Sequence, residues 1–368
     1  MSEITAVFKE KADKIYILKD NRILIYQKKE HTLYIINQNT FKKVSELKLE
    51  DKLDDLIILS NDNIAISIST SVFIYKIENN NFKLIQEIKL EIEKRNLKSF
   101  YDYGKEYIPD FLKAKISEYK NGQYLLILKR IPYDDSKYGL YNCESKIDIF
   151  SLNKEEKYSF IKTVSFPNGI QGRMLYDNIN NNLIIHGIQG ANPMSTRYSV
   201  YLFNIENQNG KRLNNMSYFN EKYKLIFIAN NQVLHYYTDF STSIVYIYNL
   251  KSDNKPIEKK IENKKNYKIE YLFNNEKFIY FILLKTKDDY DDEKLIPDNE
   301  LTFYKYNFNL DLIDTVNIPY NAKIGFNKAI KIKSNLLILY GFNNMVILRG
   351  KNTSDNKKEN KMISELFE

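Results

Sequence analysis

The sequence predicts an all-β chain folded into a single closed β-propeller of seven four-stranded blades. Three observations predict it: apolar positions that repeat at one spacing, short strands that come in fours, and second strands that are apolar on both faces. Repetition weighs most, because a period of roughly 20–50 residues decides a whole architecture at once. Between the first two units Ile23 matches Ile64, Ile25 matches Ile66, Tyr34 matches Tyr75, Ile36 matches Ile77, Leu47 matches Ile88 and Leu49 matches Leu90, each pair 41 residues apart. That offset is the size of one propeller blade, about 40–45 residues.

The strands follow in order. In the first unit they are Lys14 to Leu18, Arg22 to Gln27, Thr32 to Asn37 and Val44 to Leu49, separated by turn formers such as Asp20-Asn21 and Asn37 to Thr40. The second unit repeats them with Leu56 to Leu59, Asn63 to Ser69, Val72 to Ile77 and Leu84 to Leu90. Strand side chains alternate sides, so a half-exposed strand alternates apolar with polar, whereas a strand stacked between blades is covered on both faces. Tyr124 to Leu128, Leu183 to Ile188, Phe278 to Leu284 and Leu336 to Phe342 are near-continuous apolar runs of the second kind. A parallel sheet would give the same runs but needs crossover helices, and the spacers here are too short and too rich in Asn and Asp.

First strands are expected to start near Lys14, Leu56, Ala114, Arg173, Tyr223, Lys268 and Phe326, which makes seven units. The last unit offers only three strands, Phe326 to Ile332, Leu336 to Phe342 and Asn344 to Arg349. Its fourth is expected from the N-terminal strand Ile4 to Lys9, which closes the ring and removes exposed sheet edges. The propeller is thus assigned to residues 1–350, and 351–368 to a charged C-terminal tail in which Met362 to Phe367 could form one helical turn.

Third strands carry a pattern of apolar, any, apolar, aromatic, any, apolar. It is seen in Val72-x-Ile74-Tyr75-x-Ile77, Ile147-x-Ile149-Phe150-x-Leu152, Val200-x-Leu202-Phe203-x-Ile205, Val245-x-Ile247-Tyr248-x-Leu250 and Leu301-x-Phe303-Tyr304-x-Tyr306, with a partial match at Leu33-Tyr34-x-Ile36. The pattern resembles the third strand of WD40 repeats, where the aromatic is Trp and the next residue Asp. Here Tyr or Phe is followed by Lys76, Ser151, Asn204, Asn249 or Lys305. The resemblance implies a degenerate WD40-like propeller without the family's Asp–His–Ser/Thr hydrogen-bond network.

Composition narrows the function classes. Hydrophobic content of 43% and aromatic content of 14% suit a packed core. The apolar runs fall short of the roughly 18–20 residues of a membrane helix, and Met1 to Asp20 lacks the apolar stretch of a secretory signal. The expectation is a cytoplasmic protein without a transmembrane segment, monomeric by itself. The lone Cys143, expected in a loop, excludes an internal disulfide or a multi-cysteine metal cage. A net charge of +8 could suggest nucleic acid. Only Arg22, Arg95, Arg130, Arg173, Arg197, Arg212 and Arg349 are arginine, however, and the Lys, Asn, Ile and Tyr enrichment follows AT-rich codons, so nucleic acid is disfavoured.

The longest insertions, Glu91 to Lys113, Lys129 to Lys146, Gly187 to Arg197 and Lys285 to Glu300, fall where second strands join third strands or one blade joins the next. These connections share one loop-rich rim, and loops on a rigid scaffold carry binding residues. Tyr101, Tyr103, Tyr107, Tyr133, Tyr138 and Tyr141, with Arg130 and Arg197, are therefore the candidate partner-binding residues. The competing expectation is that these aromatics pack under their own loops. Phe111 belongs to the same concentration of aromatics.

No catalytic, cofactor-binding or metal-binding residue is assigned, and no cofactor is expected. Asp288, Asp289, Asp291, Asp292 and Glu293 lack the glycine and terminal glutamate of a calcium loop. His186-Gly187-Ile188-Gln189-Gly190 is expected to be a turn rather than a phosphate loop, since no helix follows. Of His31, His186 and His235, the last two sit in apolar strands as core residues. The function expected is a non-catalytic scaffold that binds a protein or peptide on the loop-rich rim. The alternative is a small-molecule or glycan site in the channel mouth, with two carboxylates acting as in a glycoside hydrolase.

Overall fold

Short apolar segments separated by a few turn-forming residues pair with their neighbours in sequence, which makes antiparallel meanders. The computed structural model shows such meanders throughout. It describes residues 3–349 other than 9–11, 21, 38–39, 41, 92–113, 136–139, 167–169, 178–180, 190–196, 217–223, 230, 239–241, 252–254, 263–266, 286–299, 320–327, 332–335 and 341–344.

The chain begins with β1 (Glu3–Phe8) and then lays down its first sheet, β2 (Lys14–Ile17), β3 (Ile23–Gln27), β4 (Thr32–Ile36) and β5 (Lys43–Lys48). The second sheet is β6 (Asp55–Ile58), β7 (Ile64–Ile68), β8 (Ser71–Glu78) and β9 (Asn81–Lys89). The third is β10 (Lys115–Tyr119), β11 (Tyr124–Asp135), β12 (Leu140–Leu152) and β13 (Tyr158–Phe166). The fourth is β14 (Ile170–Asp177), β15 (Asn182–Gln189), β16 (Arg197–Asn204) and β17 (Gly210–Met216). The fifth is β18 (Lys224–Ala229), β19 (Gln232–Thr238), β20 (Thr242–Asn249) and β21 (Ile257–Glu262). The sixth is β22 (Tyr267–Asn274), β23 (Phe278–Lys285), β24 (Glu300–Asn307) and β25 (Leu312–Pro319). The seventh joins the two ends of the chain: β26 (Lys328–Lys331), β27 (Leu336–Tyr340) and β28 (Met345–Arg349), with β1 hydrogen-bonded to β28. Glu3 faces Arg349 and Phe8 faces Met345 in that antiparallel pair. Each sheet is open, and none closes on itself.

Two segments expected as loops are strand where the structure describes them. β11 and β12 stay paired from Arg130 opposite Ser145, through Tyr133 opposite Asn142, to Asp135 opposite Leu140. Cys143 therefore stands on a strand, opposite Pro132. β15 and β16 stay paired as far as Gln189 opposite Arg197, so His186 to Gln189 is strand and not the expected turn. Main-chain pairing requires no apolar side chain, so a hairpin keeps strand geometry where its sequence carries the polar residues of a loop.

Burial rises and falls across each sheet. Second strands are dry on both faces: every residue of β7 is buried, as are Leu125 to Leu128, Val233 to Tyr236 and Ile279 to Ile282. Third strands β8, β20 and β24 instead alternate buried with part-buried residues, so double coverage is strongest at the second strand. Fourth strands are the exposed ones. Leu84, Phe160, Ile161, Ile257, Leu312 and Ile313, the exposed large hydrophobics, all lie on them. Four of these edges carry a one-residue register shift, between Ile74 and Tyr75, Ile149 and Phe150, Val200 and Tyr201, and Lys305 and Tyr306 on the partner strand. A bulge twists an edge strand and blunts it against pairing with another chain.

The chain divides into two compact units, one of residues 1–27, 34–44 and 222–368, the other of 28–33 and 45–221. Core clusters in each draw on two consecutive sheets. In the second unit, Leu59, Ala65, Val72 and Ile74 of sheet two pack with Ile116, Leu125, Ile127 and Phe150 of sheet three. Leu126, Leu128 and Phe166 of sheet three pack with Leu183, Ile185 and Phe203 of sheet four. In the first unit, sheet five packs with sheet six through Leu234, Tyr236 and Phe281, and sheet six with sheet seven through Phe303, Leu337 and Leu339. Ile23, Ile25 and Tyr34 of the first sheet pack with Ile338, Tyr340 and Met345 of the last. Lys328 also donates to the Asp13 carbonyl at 2.8 Å.

Candidate functional site

A four-stranded meander has two ends. At one, the first strand turns into the second and the third into the fourth; at the other, the second turns into the third. The expected partner-binding residues belong to the latter end. Tyr101, Tyr103, Tyr107 and Tyr138 lie outside the described residues, as do Phe111 and the acidic run 288–293. Arg130 and Tyr133 stand on β11, Tyr141 on β12 and Arg197 on β16, so these four are strand residues and not loop residues. Arg130, Tyr133 and Tyr141 stand on the β11–β12 hairpin, whereas Arg197 belongs to the next sheet. His235 is fully buried in β19, with its ring 6.0 Å from that of Tyr246, which is a core position.

The opposite end holds a cleft of about 710 Å³, formed where sheet two meets sheet three. Three turns line it: Ser60 and Asn61 between β6 and β7, Asn121 to Gln123 between β10 and β11, and Asn153 with Lys154 between β12 and β13, joined by Tyr124, Ser151 and Leu152. Each turn has a local cause. Lys120, Asn121 and Gly122 are all left-handed, with φ of 50°, 52° and 82°. Asn tolerates that region and glycine has no penalty there. Gly122 is further constrained by space, because a Cβ on it would lie 2.9 Å from Ser60 Cβ and 3.0 Å from Glu118 Oε1. Asn153 Oδ1 accepts the N–H groups of Glu155 and Lys157, both at 2.9 Å, and so closes the β12–β13 turn with its own side chain.

Asparagine plays that part repeatedly. Asn204 Oδ1 accepts from Glu206 and Asn207 at 3.0 and 3.1 Å, Asn249 Oδ1 from Lys251 at 3.0 Å, and Asn307 Oδ1 from Asn309 and Asp311 at 2.9 Å. At Asn204 and Asn249 the side chain thus closes the turn from the third strand to the fourth.

The walls of the cleft are fixed by bonds between the two sheets. Glu118 on β10 accepts the Ser60 backbone N–H through one oxygen and the Ser60 hydroxyl through the other, the latter at 2.7 Å. Asp55 accepts the Ile116 N–H at 3.0 Å and Lys115 donates to the Asp54 carbonyl at 2.9 Å. Gln86 makes two 2.7 Å bonds with the backbone of Tyr158, and the Tyr158 hydroxyl donates to the Gly122 carbonyl at 3.4 Å.

Beside the cleft, sheet three is tied to sheet four. Glu206 accepts from Lys120 at 2.8 Å and from the Tyr119 hydroxyl at 3.2 Å, and the Tyr119 ring lies 4.6 Å from that of Tyr176. Hydrogen bonding by Lys120, then by Tyr119, holds the Glu206 carboxyl below its ordinary range.

Two expected results follow from these geometries. Gly122→Ala would meet both a disfavoured φ and the Ser60 Cβ, at a cost of about 1–3 kcal/mol, and thermal unfolding should show a drop of several degrees. The second concerns alkali. Burial pushes Tyr119, Tyr271 and Tyr306 from an ordinary 10.0 up to about 12. A group whose folded pKa is raised contributes stability below its unfolded value and loses it as pH climbs toward the folded one. The protein should therefore lose stability between pH 10 and about 12, and tyrosinate absorbance should rise late and together with unfolding.

Among the described residues no group of three or more His, Cys, Asp or Glu could hold a metal ion, and no helix is long and apolar enough to cross a membrane.

Consecutive four-stranded antiparallel meanders stacked face to face make this chain a β-propeller. Solved structures agree over nearly its whole length. The propeller of Dos1 matches with a TM-score of 0.56 at 10% identity, covering 93% of this chain and 79% of that one. A chain of the mitotic checkpoint complex matches with a TM-score of 0.57 at 11% identity, covering 96% of this chain and 93% of that one. A chain of hydrazine synthase from Kuenenia stuttgartiensis matches at 0.55 and 12% identity, covering 92% and 95%. At such identities the likeness is one of fold alone. No protein-family model matches the chain, and no curated protein matches it in sequence.

Proposed function

We propose that the chain is a non-catalytic scaffold of the WD40-like kind, in which the seven sheets are the blades of one ring spanning residues 1–350, and that it binds a protein or peptide partner. The pairing of β1 with β28 and the core shared by the first and last sheets support closure. The observation that carries the binding reading is the cleft at the short-turn end of sheets two and three. It is open, its walls are tied by bonds between the sheets, and its lining has polar side chains and no carboxylate.

Affinity purification of the intact protein from its own cells tests the reading, run in parallel with two variants. One reverses charge in the cleft, Lys154→Glu. The other strips the opposite end, combining Arg130→Ala, Tyr133→Ala and Tyr141→Ala. A partner present at near-equal amount and lost with the cleft variant is the expected result. Loss with the second variant alone would move the docking face to the loop-rich rim. A protein that carries no stoichiometric partner and turns over a small substrate would overturn the scaffold reading.

A further inference from the structure

The side chains lining the cleft differ in what they have left to offer. Asn61 Oδ1 already accepts the Asn63 N–H at 3.2 Å, and Asn153 Oδ1 accepts two N–H groups at 2.9 Å, so what each has left to offer is its amide N–H₂. Lys154 is exposed and, among the described residues, takes no ion pair. The Asn121 and Gln123 side chains and the Ser151 hydroxyl likewise make no bond among the described residues. Carboxylates near it have other partners: Glu118 has Ser60, Glu155 has Lys157 at 3.6 Å and Glu156 has Lys76 at 3.3 Å. The cleft is therefore rich in donors and carries one cation that makes no ion pair among the described residues.

A ligand that answers this must bring acceptors and negative charge. Carboxamides on Asn121 and Gln123 can meet a peptide bond edge-on, donating to its carbonyl and accepting from its N–H, while Lys154 suits a carboxylate. An oligosaccharide would supply hydroxyls that donate as much as they accept, and it would leave the Lys154 charge unanswered.

We infer that the cleft formed by Asn61, Asn121, Gln123, Ser151, Asn153 and Lys154 binds an extended peptide segment carrying an acidic side chain. The inference rests on the scaffold reading and specifies its partner's chemistry.

The test is fluorescence polarisation with three labelled decapeptides of repeating Glu-Ser, Gln-Ser and Lys-Ser, and with chitopentaose as competitor. The acidic peptide should saturate the full chain, and the other two should bind at least tenfold more weakly. Lys154→Glu should weaken the acidic peptide by tenfold or more and Gln123→Ala by several fold, both with unchanged melting temperatures because the two side chains are exposed. Lys251→Glu, in an exposed turn of sheet five, should leave binding intact and so separates the cleft from general charge attraction. Equal binding of the acidic and neutral peptides, or equal loss with Lys154→Glu and Lys251→Glu, would overturn the inference. Competition by chitopentaose that disappears with Gln123→Ala would also overturn it, in favour of a glycan. If the peptides fail while a cellular partner is still lost with Lys154→Glu, this inference falls and the scaffold reading stands. If neither peptide nor partner binds, both fall.

Discussion

Removing residues 1–8 is expected to lower the melting temperature by roughly 10 °C. The deletion takes away β1, whose five register pairs with β28 run from Glu3–Arg349 to Phe8–Met345. Each ladder hydrogen bond contributes about 0.5–1.5 kcal/mol net, so the loss is on the order of 5 kcal/mol, and a chain of this size melts about 2 °C earlier per kcal/mol. The loss extends further, because β28 would become a bare sheet edge and an invitation to pair with other chains. Aggregation on heating should accompany the lower melting point. A truncated protein that melts with the intact one would show that β1 carries no part of the fold's stability.

Asp148→Ala is the single substitution expected to cost most. Asp148 lies on β12, 4% exposed, with Lys129 Nζ at 2.7 Å on one side and the Thr163 hydroxyl donating at 2.7 Å on the other. Removing one member of a buried pair leaves the other charge without its counter-ion, at about 3–5 kcal/mol. The lower figure applies here, because the Lys129 side chain is 17% exposed and can turn its ammonium toward water. Urea unfolding should give a loss near 3 kcal/mol for Asp148→Ala, and the double variant Asp148→Leu with Lys129→Met should recover most of it. A change within ~0.5 kcal/mol, the range of an ordinary surface substitution, would mean the pair is solvated.

Much of the strand plan is legible in the sequence because burial writes it there. Phe278 to Leu284 is apolar at successive positions because neighbouring sheets cover both of its faces. The fourth strand of the last sheet is legible for a negative reason: the unit expected to begin near Phe326 lacks one, and Ile4 to Lys9 has no other strand to join; the structure pairs β1 with β28. Where a paired strand lacks the apolar pattern, the signal vanishes. Arg130 to Asp135 and Leu140 to Glu144 form a ladder of backbone pairs, with a proline and several charges among them, and so their sequence resembles a loop.

The cleft was illegible for a different cause. Asn61, Asn121, Gly122 and Asn153 have the composition of any turn, and what makes them a site is the meeting of turns from sheets two and three. The bonds that set that meeting, among them the Glu118 bridge to Ser60, 58 residues earlier, join distant parts of the chain, and no local pattern announces them. Asn204 and Asn249 stand out in the sequence after the third-strand aromatics, yet nothing there announces their turn-closing bonds.

Closure of the proposed ring at the seventh sheet is tested most directly by a crosslink between the two ends of the chain. Val7 and Val346 are register partners on β1 and β28, and antiparallel partners lie about 4.5–5.5 Å apart at Cα, within disulfide reach. In a Cys143→Ser background, Val7→Cys with Val346→Cys should oxidise rapidly in the native protein, migrate as a closed species without reductant, and melt at a higher temperature than the reduced form. Thiols that stay free under mild oxidant while the protein remains folded would contradict the account.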